Sequence, residues 1–305
     1  MSLGLLFPGQ GTQHADMLGW LDADAAARPV LDELARRLGA DWRERLSDAR
    51  WASSAEVGQL LVTAMSLAAW AALAPRLPAP AAVLGYSVGE LAAFTVAGVL
   101  PATQTLALAA RRAAAMAAAS TQPLGLLAVQ GRSLNELIAL GAAFGLEPAI
   151  LLEADQLLLG GPQAALGQAR AQWEAQGLRC TAIAAPVASH TRWMAPAQPA
   201  WQAALQDLTL QRPRAALICD AEAGPVFGAD AARAALVDQL ARPIDWPRCM
   251  DALAERGVRV VLEVGPGQTL ARLWARRHPQ IPVRSVDEFG SAAGVAAWVA
   301  ERLAP

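Results

Sequence analysis

The chain has 305 residues with 25 basic and 27 acidic side chains, a formal net charge of -2 and a pI near 6.0. That balance excludes an overall basic field drawing it to nucleic acid or to an anionic membrane. Every basic residue is arginine, and Cys180, Cys219 and Cys249 are odd in number and widely spaced, so neither a disulfide framework nor a zinc knuckle is indicated and a reducing cytoplasm fits best.

The run Leu3–Phe7 predicts a buried first strand, and the amino terminus lacks the basic and long apolar regions of a secretory signal. Phe7-Pro8-Gly9-Gln10-Gly11-Thr12-Gln13 then reads as a glycine-rich loop at the carboxyl edge of the sheet, where open α/β sheets bind ligands. It lacks the glycine spacing of a dinucleotide fold and has no Walker lysine, so a nucleotide-phosphate loop is the weaker reading. The apolar stretch Leu60–Ala74, interrupted by Thr63 and Ser66, is expected to be a core helix too short to span a bilayer.

Ala82 to Ala93 reads as a short strand, the turn Gly85-Tyr86-Ser87-Val88-Gly89 and a helix. A serine on such a turn is held in a strained conformation with its hydroxyl exposed, and the helix start beside it favours an anion. Ser87 is therefore the candidate nucleophile, with an ordinary glycine-rich loop as the alternative. The Val88 N–H, with one from the Gly9–Gly11 loop, could form an oxyanion hole. Further on, Arg111-Arg112 interrupts a helix predicted over Thr103–Ala119. Neighbouring helical residues point about 100° apart, so at most one faces a buried site, where it would invite a carboxylate; two solvated arginines are the alternative.

Between 124 and 186 the order becomes β-α-β-β-α-β, with strands at Leu124–Val129, Ala149–Leu152, Gln156–Leu159 and Arg179–Ile183 and helices at Leu134–Phe144 and Gln163–Gln176. This predicts a ferredoxin-like subdomain inserted into a core made of 1–123 and 187–305. A cleft between the two units is the natural ligand site. Ala215–Cys219 and Val258–Val264 predict further buried strands of a parallel sheet with helices on both faces.

Serine needs a base within hydrogen-bond reach. His190, where the chain re-enters the core, is the better candidate; His14 competes, and His278 reads as an exposed helix end. No acid is obviously placed to orient either base, which leaves a backbone carbonyl. None of the three histidines has a partner at metal-ligand spacing, so a metal site is not expected.

With Phe7-Pro8-Gly9-Gln10-Gly11, Gly85-x-Ser87-x-Gly89-Glu90, Ser189-His190 and Glu263-Val264-Gly265-Pro266-Gly267 in this order, the chain resembles the malonyl-CoA:acyl-carrier-protein transacylases over nearly its whole length. The resemblance implies an α/β-hydrolase-like core with a ferredoxin-like insertion. It implies ping-pong transfer of malonyl from coenzyme A to a carrier-protein thiol through Ser87, with no bound cofactor. It further implies His190 as base, Arg112 as the clamp for the malonyl carboxylate, and Gln10 and Val88 as oxyanion donors. Gln239 matches the residue whose backbone carbonyl holds the histidine tautomer. Most of the family has histidine where this chain has Tyr86, and a tyrosine there looks like the malonate decarboxylase epsilon subunit, which loads the carrier subunit of that complex. That subfamily is the first expectation; a transacylase of fatty-acid or polyketide synthesis and a serine thioesterase or hydrolase are the alternatives, with a non-catalytic scaffold as the non-enzyme reading. Val187-Ala188-Ser189-His190 is similar to the signature of methylmalonyl-selecting polyketide domains, which leaves the choice between malonyl and methylmalonyl open. Arg192, Arg272, Arg276 and Arg277 are candidates for docking an acidic carrier.

Overall fold

The computed structural model describes residues 2–304. Six strands form the main sheet: β1 (Leu3–Phe7), β2 (Pro80–Gly85), β7 (Ala216–Cys219), β8 (Gly224–Val226), β10 (Val260–Glu263) and β11 (Val283–Ser285), in the order β11-β10-β1-β2-β7-β8. The first five in that order run parallel, and β8 is an antiparallel edge. Leu5, Phe7, Val83, Leu217 and Leu262 enter one core, while Leu6, Leu84, Ile218 and Val261 enter the other. Alternate residues of each strand therefore meet apolar layers on both faces, which is why these segments carry no polar alternation.

The second sheet comprises β3 (Leu124–Gln130), β4 (Glu147–Glu153), β5 (Gln156–Pro162), β6 (Arg179–Ile183) and β9 (Ile244–Asp245), in the order β6-β3-β5-β4-β9. Its first four strands are antiparallel in the ferredoxin-like arrangement. Helices Leu134–Ala142 and Gln163–Ala175 cover one face around Trp173. The other face turns Leu126, Ile150 and Leu158 toward Trp246 and the main sheet. β9 adds parallel to β4 and comes from beyond residue 186, so the small sheet borrows a strand from the segment just after Gln239 and Leu240.

The helix Ala55–Leu73 begins five residues before the apolar stretch seen in the sequence. With its 3-10 extension to Arg76 it is long and apolar enough to cross a membrane, which corrects the expectation that it is too short. It is nevertheless a core helix: 83% of its most apolar window is buried, against helices Arg28–Leu38 and Ala102–Ala119 among others.

Candidate active site

At the carboxyl end of β2 the chain turns sharply into helix Gly89–Val96, and two glycines make the turn possible. A Cβ on Gly85 would lie 2.3 Å from the Glu90 nitrogen, and one on Gly89 would lie 2.2 Å from the Phe7 carbonyl oxygen. Ser87 between them takes φ 54°, a left-handed conformation that a non-glycine residue adopts only when its surroundings enforce it. The enforcement is visible: the Ser87 N–H donates to Asp220 Oδ2 at 2.8 Å, and its carbonyl accepts from the Glu90 N–H at 3.0 Å and from Gln239 Nε2 at 2.8 Å.

Ser87 Oγ lies 2.8 Å from His190 Nε2, although the residues are 103 positions apart. His190 is fully buried and also left-handed, with φ 65°. Its N–H donates to the Leu240 carbonyl at 2.9 Å, and its Nδ1 stands 2.7 Å from the Gln239 carbonyl. A carbonyl can only accept, so Nδ1 carries the ring proton and Nε2 is the free acceptor facing the hydroxyl. Burial, then the nearby Arg112 charge, lower the imidazole to about 3 against the pull of the Gln239 carbonyl, so it is neutral at physiological pH.

Arg112 is 2% exposed, whereas Arg111 faces solvent on the same helix. Its Nη1 donates to Gln59 Oε1 at 2.9 Å and its Nη2 to Gln239 Oε1 at 2.6 Å. Those bonds use two of five N–H groups and, among the described residues, bring no countercharge into direct contact. Burial lowers the guanidinium to about 10, so it remains a cation at neutral pH. Gln10, Ser87, Val88 and Arg112 line one cavity of about 530 Å³, whose lining also includes Leu126, Ile150 and Leu158 from the second sheet. The Gln10 side chain is anchored away to the Ser53 carbonyl at 3.0 Å. Val187 and Ser189 also border the cavity, and Tyr86 lines it while packing edge-on against Trp246.

The other histidines lie apart from this pair. His14 contacts Asp287 at 2.6 Å with its side chain 45% exposed. His278 ends helix Thr269–Arg277 as expected, yet its ring is not exposed: it is largely covered and lies 4.6 Å from the Trp274 ring. Of the four docking candidates, Arg272 and Arg276 border the cavity, Arg192 pairs with Glu147, and Arg277 pairs with Asp251.

Three buried polar residues at the site were given no role from the sequence: Gln59, Glu90 and Asp220. Glu90 Oε1 accepts the Asp220 N–H at 2.7 Å and its Oε2 accepts from Gln239 Nε2 at 2.6 Å. Burial, then the Asp220 charge, hold Glu90 well above the usual carboxylate range; burial pushes Asp220 up to about 7 although the Ser87 N–H pulls it down. Each carboxyl is therefore harder to ionise than in water, and the charge of one opposes ionisation of the other. A polar residue inside an otherwise apolar helix, as with Glu90, or at the carboxyl end of a strand, as with Asp220, was the available signal.

A strained serine bonded to a neutral imidazole, a helix start beside it and a buried cation in the same cavity are the parts of an acyl-transfer site for an acid-bearing acyl group. Comparison with known proteins points the same way. Residues 5–298 match the family described as acyl transferase domain. The chain is 34% identical over 293 residues to the malonyl CoA-acyl carrier protein transacylase of Mycobacterium tuberculosis, covering 93% of this chain and 96% of the relative. It is 28% identical over 300 residues to the Escherichia coli K12 protein of the same name, covering 93% and 95%. The crystal structure of the malonyl-CoA:acyl carrier protein transacylase of Xanthomonas oryzae superposes with a TM-score of 0.89 at 29% identity, covering 98% of this chain and 99% of that one. The Mycobacterium tuberculosis crystal structure superposes with a TM-score of 0.86 at 33% identity, covering 97% and 100%. The chain belongs to the acyl transferase domain family, and within it to the malonyl-CoA:acyl-carrier-protein transacylases.

Proposed function

We propose that this enzyme moves malonyl from malonyl-CoA to the thiol of an acyl carrier protein, as in fatty-acid or polyketide synthesis. The observation that carries the reading is Arg112, a buried cation without a contacting countercharge in the cavity of the Ser87–His190 pair. A hydrolase of neutral esters gains nothing from burying that charge, whereas a malonyl carboxylate would complete it.

The Ser87 hydroxyl attacks the thioester carbonyl while His190 Nε2 takes its proton. The Val88 and Gln10 N–H groups hold the negative charge that develops on the carbonyl oxygen. Collapse breaks the carbon–sulfur bond, and the proton on His190 goes to the departing coenzyme A sulfur. The carrier thiol then attacks the malonyl-serine ester, His190 takes the thiol proton, and the proton returns to Ser87 as the ester breaks. The apolar side chains lining the cavity, Leu126, Ile150 and Leu158 among them, limit water during the interval, so that transfer outruns hydrolysis.

Intact-mass measurement after incubation with malonyl-CoA tests this reading. One malonyl group should add to the wild type and none to Ser87→Ala; an unmodified wild type would leave the scaffold reading standing. Arg112→Ala should lower the preference for malonyl over acetyl by roughly 100-fold, because the substrate carboxylate then meets a buried site without its cation. Equal preference in parent and variant would remove the clamp, and rapid carrier-independent ester hydrolysis would favour a thioesterase. Competition between malonyl-CoA and methylmalonyl-CoA reads the remaining selectivity, at a wall that includes Val187 and Ser189.

Loading the malonate decarboxylase carrier is a second reading, supported by Tyr86 at the cavity wall. The named relatives favour the general transacylase. Faster transfer to a phosphoribosyl-dephospho-coenzyme A carrier than to a phosphopantetheine carrier would reverse that order. Three free cysteines suit a reducing cytoplasmic setting.

A further inference from the structure

Gln239 touches the nucleophile turn, the base and the buried cation without lining the cavity. It is 1% exposed, and its backbone carbonyl holds the His190 ring. Its side-chain amide reaches the other two parts: Oε1 accepts from Arg112 Nη2 at 2.6 Å, while Nε2 donates to the Ser87 carbonyl at 2.8 Å and to Glu90 Oε2 at 2.6 Å. A carboxylate could accept from the arginine but could not donate to the serine carbonyl, and an apolar side chain could do neither. The amide is also planar, so a shift of the arginine that moves its oxygen swings its nitrogen against the Ser87 turn. Gln59 offers no such link: its oxygen accepts from Arg112, but among the described residues its amide nitrogen reaches only Met116 Sδ, at 3.7 Å.

We propose that the Gln239 side chain is a positioning residue that couples acid recognition at Arg112 to the geometry of the Ser87 turn. An acyl group with a terminal carboxylate then reacts faster as well as binding more tightly. The inference rests on the malonyl-transfer reading and adds to it a residue behind the cavity wall that acts on kcat.

The test measures kcat and KM for malonyl-CoA and acetyl-CoA in wild type, Gln239→Met, Gln239→Asn, Arg112→Ala and the Arg112→Ala/Gln239→Met double variant. In Gln239→Met the malonyl kcat should fall about tenfold further than the acetyl kcat, the scale of one lost hydrogen bond to a charged group. The added cost of Arg112→Ala should be smaller in that background than in wild type. A merely loosened fold lowers both kcat values together and leaves their ratio alone. Gln239→Asn keeps an amide and brings no charge to Arg112, but is one carbon too short to reach it and the Ser87 carbonyl together, and should lower the same ratio if the methionine variant folds poorly. An unchanged malonyl-to-acetyl kcat ratio in the folded variants, or strictly multiplicative effects with Arg112→Ala, would overturn the coupling while leaving malonyl transfer intact. Absence of any malonyl preference in the wild type would instead overturn the reading beneath it.

Discussion

His190→Ala is expected to slow acylation of Ser87 by about ten thousand-fold, with little change in the affinity for malonyl-CoA. His190 Nε2 is the proton acceptor at 2.8 Å from the serine hydroxyl, and the Gln239 carbonyl fixes its tautomer. A variant within tenfold of the parent would place the base elsewhere. The pH dependence carries a sharper signature. Burial is the first cause of the lowered imidazole and the Arg112 cation the second. A malonyl carboxylate on Arg112 offsets the second cause and raises the basicity of His190 in the complex, whereas acetyl leaves it low. The sign follows: on acidification, kcat for malonyl transfer should begin to fall at a higher pH than kcat for acetyl transfer. The free-enzyme histidine limb in kcat/KM should be the same for both donors. Pre-steady-state acylation rates across pH measure this, and coincident kcat profiles would mean that the clamp does not act on the base.

The parts of this fold visible in the sequence are those whose cause is local. Leu3–Phe7 and Val260–Glu263 are central strands covered on both faces, so an unbroken apolar run identifies them. Gly85 and Gly89 are required by contacts within one turn and at its edge, and the spacing around Ser87 records that. β8, β9 and β11 have three residues or fewer, too short for any periodicity, and β9 exists only because β4 offers an edge. The site divides likewise. Ser87 follows from its own turn, but His190 and Gln239 are brought to it from 103 and 152 residues away, and spacing alone does not separate His190 from His14. Asp220 is marked in the sequence only as a polar residue just after β7; that its carboxylate accepts the Ser87 backbone N–H from 133 residues away leaves no local pattern.

Asp220→Ala should destabilise the protein by about 3 kcal/mol and slow acylation. It leaves the N–H of a left-handed serine without its acceptor in a buried site, and it removes a carboxylate whose charge helps offset buried Arg112. Asp220→Asn should behave differently, since an amide oxygen can still accept from Ser87 while the ionisable group is gone. In the wild type the unfolded Asp220 ionises near 3.8 and the folded one at about 7. Between those values the unfolded chain has released a proton that the native carboxyl keeps, so the stability present at low pH is lost as pH rises through this window. Glu90, also raised by burial and by the Asp220 charge, adds to the loss in the same direction. The difference in urea unfolding free energy, Asp220→Asn minus wild type, should therefore become more favourable to the variant from about pH 4 to about pH 8. Groups common to both proteins, such as His190, largely cancel in that difference. A difference independent of pH would mean that Asp220 is ionised throughout the range. It would also mean that the enzyme holds its nucleophile with a permanent buried charge balanced by Arg112, in place of a carboxyl that is neutral at low pH.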